Sequence, residues 1–231
     1  MPLWKRSIDV TVSLAVMPIL GICALLMMIM QKFCSPGPIL FTQERVGLKG
    51  RRFRIYKFRT MFLGSDVAAH RAYYSSLMTS NTPMVKLDSH GDKRLIPGGW
   101  LLRASGLDEL PQILNVLKGD MSIVGPRPCI PYEYEEYTPW QKQRFDSTPG
   151  LTGLWQVSGK NRTTFDEMIR FDHEYRDKLS FWLDAKIILM TVPALLMQVQ
   201  DVRIAREDKT RPRRTQEVHQ PVPPKGIHVT E

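Results

Sequence analysis

The chain has 231 residues, of which 43% are hydrophobic, so it can bury a core and is not a disordered tail protein. A formal net charge of +9 asks for an anionic partner: nucleic acid, an acidic membrane surface or phosphorylated substrates. Cys23, Cys34 and Cys129 are odd in number and far apart, and the five histidines show no ligand spacing, which argues against a disulfide framework or a zinc site and fits a reducing cytoplasm.

In chain order, Lys5, Arg6 and Asp9 precede a run that is uncharged from Val10 to Met30. As a helix it would reach roughly 30 Å, the thickness of a bilayer core. Pro18 divides the run, and a kink there would leave neither arm long enough to cross alone. Lys5 and Arg6 flank one end, while Lys32, Arg45, Lys49, Arg51, Arg52, Arg54, Lys57 and Arg59 follow the other, so positive charge pulls both ends to the cytoplasm. A re-entrant hairpin satisfies both features; a kinked span with its short N-terminus outside satisfies the length alone.

Ser35 to Pro38 breaks the helix, and β-prone runs at 39–41 and 53–58 around Gly47 and Gly50 predict a basic hairpin. Its FRIYKFR stretch has the mixture of rings and cations that binds RNA by stacking and charge, and equally that which holds phosphates at a membrane surface. A helix is expected over 66–78 and a polar loop over 81–99.

The segment SGLDELPQILNVLKGDMSIVGPRP then predicts a helix over 105–118. Ser105 or Asp108 serves as its cap, Pro111 falls in its first turn, and Ile113, Leu114 and Leu117 form one buried stripe. Adjacent Asp108 and Glu109 are read either as capping acids or as working carboxylates. In GPRP, a stiff backbone around Arg127 suits either a surface turn or a pre-organised anion contact. Further on, Pro149-Gly150 predicts a turn and 154–157 a short strand. Thr164 and Glu167 form a capping-box spacing for a helix carrying Met168, Phe171 and Tyr175 on one side. The apolar 183–200 segment reads as a core or interfacial helix, with Lys186 and Pro193 against a second crossing. From about Asp201 a polar tail rich in proline and arginine is expected to be disordered.

The ordered succession KRSIDV, an apolar hairpin, GPILFTQERVG, KFRTM, LDELPQILNVLKGDMSIVGPRP and PGLTGLWQVSG resembles the bacterial sugar transferase family over about residues 1–200. These are monotopic polyprenyl-phosphate phosphoglycosyl transferases, and the likeness is to their minimal catalytic form. The resemblance implies an α+β enzyme with a re-entrant membrane helix over 1–33, a cytoplasmic catalytic domain over 34–200 with a small β-hairpin and interfacial helices around the active site, and the tail over 201–231. It implies transfer of a sugar 1-phosphate from a UDP-sugar to undecaprenyl phosphate through an aspartyl phosphosugar, with release of UMP, at the cytoplasmic face of the bacterial inner membrane. This would be the step that initiates exopolysaccharide, capsule, O-antigen or other glycoconjugate assembly. The partners implied are those two substrates, an anionic phospholipid membrane and, at a later stage, glycosyltransferases of the same pathway, and no nucleic acid.

By the same resemblance Asp108 is the nucleophile and Glu109 serves Mg²⁺. KFRTM and GPRP bring Lys57, Arg59 and Arg127, with Arg103 and Arg144, to the substrate phosphates. The chemistry suits the residue types, since joining two phosphate-bearing molecules needs cations to offset their repulsion. Two positions depart from the family pattern: Met17 stands where serine often precedes the proline, and Ser105-Gly106 where Thr-Ser is common. A membrane-tethered nucleic-acid-binding protein, or a scaffold without catalysis, is the rival reading; it accounts for the charge and leaves LDELP and GPRP without a role.

Overall fold

The computed structural model describes residues 1–62, 77–78, 83, 94–159 and 163–210, the last six as backbone alone. Most of the helix expected over 66–78, all but its last two residues, and most of the loop expected over 81–99 lie outside the described residues. The architecture is α+β, a set of helices with two small two-stranded sheets among the described residues.

Helix α1 runs from Leu3 to Cys34 with Pro18 inside it. Pro18 therefore does not divide the helix into two elements. The reason lies in the packing: its buried positions are Lys5, Asp9, Ser13, Leu20, Met27 and Gln31. At 100° per residue these six fall within an arc of about 80°, so a single stripe faces the body on both sides of Pro18. Lys5, Arg6 and Asp9 fasten one end. Lys5 Nζ donates to the Val124 carbonyl at 2.8 Å and pairs with Asp184 at 2.6 Å. Arg6 donates to the Val116 and Leu117 carbonyls, both at 2.6 Å, and Asp9 accepts from Ser122 Oγ and Ile123 N–H, both at 2.8 Å. At the other end Gln31 Nε2 donates to the Arg59 carbonyl at 3.1 Å. The outward side is apolar, with Leu14, Ile19, Ile22, Leu25, Leu26, Ile29 and Phe33 exposed.

Strands β1 (Leu40–Val46) and β2 (Arg52–Phe58) form the expected antiparallel hairpin, with Phe41 opposite Lys57 and Arg45 opposite Phe53. Helix α2 spans Gly99–Ser105, a 3₁₀ segment spans Leu107–Gln112, and α3 spans Ile113–Lys118. The single helix expected over 105–118 is thus three pieces. Gly106 adopts φ 74°, a conformation open to glycine, which ends α2 and redirects the chain. Ser105 does not cap the 3₁₀ segment, because its Oγ donates back to the Leu101 and Leu102 carbonyls.

Strand β3 (Ser122–Val124) pairs in parallel with β4 (Gly150–Thr152). The loop after β3 lies tightly on β4: Gly125 N–H donates to the Thr152 carbonyl at 2.8 Å, and a Cβ at Gly125 would collide with the Thr148 carbonyl. Two short helices come next, α4 (Pro131–Glu136) and α5 (Pro139–Lys142). After β4 comes α6 (Leu154–Val157), a helical turn where the β-prone sequence predicted a strand. The strand sits four residues earlier, at the Pro149-Gly150 turn, because Gly150 and Thr152 are the positions that reach β3. Helix α7 (Phe165–Asp177) begins with the expected Thr164–Glu167 capping box and buries Met168 and Tyr175, with Phe171 partly buried. Helix α8 (Phe181–Thr210) extends ten residues into the expected tail; residues 211–231 lie outside those described.

Three clusters hold the body. One gathers Val46, Cys129, Phe145, Phe165 and Ile169; a second gathers Ile55, Ile113, Val116, Met121 and Tyr175. The third joins Leu20 and Met27 of α1 to Phe58, with Leu110 and Leu114 packed against it. That third cluster sets the LDELP segment against the membrane-length helix. By length and composition α1 and the 181–204 part of α8 are each able to cross a bilayer, and much of the apolar surface of both is exposed.

Candidate active site

The site forms where the 3₁₀ segment crosses β2. A 3₁₀ turn suits this stretch because Pro111 has no N–H to give to a longer helical ladder, while Leu110 is drawn toward α1. Glu109 N–H donates to the Gly106 carbonyl at 3.0 Å, which turns the Glu109 side chain toward the hairpin. There Lys57 Nζ donates to Glu109 Oε1 at 2.8 Å. Arg127 reaches the same carboxylate from the other side, its Nη2 to Oε1 at 3.0 Å and its Nη1 to Oε2 at 3.3 Å, a forked contact. Asp108 is next in the chain and buried, at 6% exposure.

Four expected site residues are thus brought together: Lys57, Asp108, Glu109 and Arg127. Burial pushes the Lys57 ammonium below its usual range, Glu109 opposes that shift, and the Arg127 charge adds to it. Arg127 is held above its ordinary value chiefly by the Glu109 charge. The cluster sets two carboxylates beside two cations, and the charged N–H donors of Lys57 and Arg127 are of the kind that meet a phosphate.

Arg144 stands one layer behind. Its side chain is buried at 2% exposure, Nη2 donates to the Arg127 carbonyl at 3.0 Å, and the same nitrogen lies 2.6 Å from Asp172 Oδ2. It therefore orients Arg127 through the backbone rather than facing the cluster. Arg59 lies elsewhere. It donates to the Pro38 carbonyl at 2.8 Å, Ser35 Oγ at 2.8 Å, the Ser35 carbonyl at 2.6 Å and Gln31 Oε1 at 3.1 Å. Its place is the C-terminal end of α1, where a cation also meets the helix dipole. Arg103 lies in the last turn of α2, whose Arg103 and Ala104 carbonyls accept from Gln198 of α8.

The FRIYKFR stretch does not present an aromatic platform. Phe58 is buried, Ile55 is buried, Lys57 is directed to Glu109, and the Tyr56 ring carries Lys118 Nζ at 4.6 Å from its centre. Sequence reasoning missed Arg45 as a neighbour of the site. Its signal was register: in QERVG it stands two residues from Gln43 on the hairpin face that bears Lys57.

Hard oxygen donors in adjacent positions suit Mg²⁺, which is ordinarily held by one or two carboxylates together with substrate phosphates. Among the described residues no group of three or more His, Cys, Asp or Glu side chains gathers into a protein-only cage. The donor set at Asp108 and Glu109 fits the shared kind of site.

A helix of membrane length is thus laid along a body in which carboxylates and cations cluster. The chain belongs to the bacterial sugar transferase family, whose pattern matches residues 1–198. It is 43% identical over 194 residues to the galactosyl transferase CpsE of Streptococcus agalactiae, covering 84% of this chain and 42% of that relative. It is 40% identical over 200 residues to the UDP-glucose:undecaprenyl-phosphate glucose-1-phosphate transferase of Caulobacter vibrioides, 83% of this chain and 69% of that one. To the exopolysaccharide production protein ExoY of Sinorhizobium fredii it is 36% identical over 193 residues, 84% and 85%. The chain therefore spans less than half of the first relative and most of the other two.

Proposed function

We propose that the chain is a phosphoglycosyl transferase that moves a sugar 1-phosphate from a UDP-sugar to undecaprenyl phosphate, initiating a surface polysaccharide or glycoconjugate. The observation that carries this reading is the forked Arg127–Glu109–Lys57 contact beside buried Asp108. An oxygen of Asp108 attacks the sugar-bearing phosphorus, the bridging P–O bond breaks, and UMP leaves with its electron pair. An oxygen of undecaprenyl phosphate then attacks the same phosphorus and displaces the aspartate, which regains its carboxylate. Splitting the transfer lets a soluble donor and a lipid acceptor use one small site in turn. Lys57 and Arg127 offset the charge of the phosphates as they approach. Glu109, with substrate oxygens, would hold Mg²⁺, which when bound supplies further neutralisation of phosphate charge.

The membrane seat obeys the same logic. A helix held by the body at both ends and along a continuous stripe lies against that body, so its apolar outer side is seated in one leaflet and both its ends stay on the same side of the membrane. The site then faces the cytoplasm at the inner membrane, residues 1–33 serve as the membrane element and 34–200 as the catalytic body. Thiol labelling of single cysteines placed at residues 2 and 49 should find both on the cytoplasmic side; labelling of residue 2 from outside would sink the topology.

The test of mechanism is a half-reaction. Wild-type protein given a UDP-sugar labelled in its sugar, without lipid acceptor, should release UMP and retain label, and should lose the label when undecaprenyl phosphate is added. Asp108→Asn should do neither. UMP release by Asp108→Asn, or release that requires both substrates together, would replace the covalent scheme by direct transfer.

A further inference from the structure

The hairpin face that carries Lys57 also carries Arg45, a residue to which the transfer chemistry assigns no part. Paired register places Phe41, Gln43 and Arg45 on the same face as Lys57, Ile55 and Phe53. Arg45 Nη1 donates to the Pro128 carbonyl at 3.2 Å and Nη2 to Gln43 Oε1 at 2.7 Å. Its Nε is buried and has no acceptor among the described residues. Buried guanidinium donors are ordinarily matched, so an unmatched one beside a substrate site is a contact in waiting.

Its contacts place it. A row of charged groups in contact runs from Asp108 to its chain neighbour Glu109, on to Lys57 and Arg127, and by way of the Pro128 carbonyl, next to Arg127, to Arg45. Burial and the Arg127 charge both disfavour the Arg45 cation, and Glu133 and Glu109 oppose them.

We propose that Arg45 contacts the nucleotide-side phosphate of the donor through its unmatched Nε–H. This rests on the transfer reaction proposed above. With the sugar-bearing phosphorus at Asp108, the second phosphate of the diphosphate lies farther along the same row of charges, toward Arg45. When the bridging P–O bond breaks, its electron pair goes to an oxygen of that second phosphate. Arg45 meets this developing charge without changing its own protonation.

The test is calorimetric titration of the full chain, in detergent micelles, with UDP, UMP and uridine. Arg45→Gln should weaken UDP about 10-fold or more, weaken UMP as well, and leave uridine within about 2-fold, as loss of one charged hydrogen bond predicts. Arg45→Lys, which keeps the charge and loses the Nε donor, should fall between. UDP affinity unchanged in Arg45→Gln overturns the proposal, and so does equal weakening of UDP and uridine, the mark of a residue that only clamps the Pro128 carbonyl. Should Arg45→Gln fail to fold by its thermal unfolding, wild-type UDP affinity in Arg45→Lys is the overturning result. A wild-type chain that binds neither UDP nor UDP-sugar would instead overturn the transfer reaction itself, a failure visible before any variant is made.

Discussion

Lys5 Nζ and Asp184 Oδ2 lie 2.6 Å apart across 179 positions of sequence, tying the first turn of α1 to the first turn of α8. Both side chains are buried, and the Tyr175 hydroxyl lies 2.9 Å from Lys5 Nζ and 2.8 Å from Asp184 Oδ1. Removing one partner leaves the other charged and buried. Lys5→Met should therefore cost about 3 to 5 kcal/mol, read as a lowered thermal midpoint in detergent, and the double variant Lys5→Met/Asp184→Leu should lose less than either single change. A single variant that melts with the wild type would show that the pair contributes nothing.

Asp172 gives the protein a pH dependence. Burial pushes its carboxyl from 3.8 up to about 6, against the pull of Arg144. A folded value above the unfolded one means that the folded protein binds the proton more tightly. This group thus favours folding as pH falls, and its ionisation costs at most about 3 kcal/mol as pH rises from about 4 to 6. Activity should run the other way. Once Asp172 is neutral, Arg144 loses its counter-charge and its hold on the Arg127 carbonyl weakens. Turnover should decline below about pH 6 while the thermal midpoint does not, and Asp172→Asn should be slow without that acid limb. Matching pH profiles for the two proteins would remove Asp172 from the account.

Arg127→Lys keeps a positive charge but replaces a planar fork by a single ammonium. Turnover should fall by about 10²-fold, since neither Glu109 nor a phosphate can be gripped by two parallel donors. Steady-state rates at saturating donor decide it, and a normal rate would make Arg127 a loop residue.

Arg59→Lys separates structure from chemistry. Four acceptors around its guanidinium cannot all be met by a lysine, so a loss of about 2 to 3 kcal/mol in stability is expected. The KM for the donor should stay as in the wild type at a temperature where both are folded. A raised KM with an unchanged melting curve would return Arg59 to the phosphate site.

The hairpin was legible because β-prone residues flank two glycines, and the carboxylate pair because LDELP stands in register with the other motifs. The 105–118 helix was misread for a local reason. Apolar spacing continues across Gly106, but periodicity does not reveal a left-handed residue, and the Ser-Gly signal of a helix end was overlooked. At 154–157, residues with good β propensity form a helical turn, and the pairing with β3 is made by Gly150 and Thr152 just before them. Arg59 and Arg144 resisted sequence reading for a third reason: whether an arginine faces a ligand or a backbone carbonyl depends on partners 17 to 24 positions away, which charge and motif do not encode.

The stripe along α1 also orders the making of the protein. Its polar anchors Lys5 and Asp9 leave the ribosome well before their partners, Ser122, Ile123, Val124, Tyr175 and Asp184. Until residues 122–124 have been synthesised these anchors have only water or lipid headgroups to satisfy them, and the counter-charge of Lys5 comes only with Asp184. Helix α1 is consequently seated in full only late, and a ribosome stalled before Ser122 should leave α1 accessible to protease and hydrogen exchange however completely the hairpin has formed.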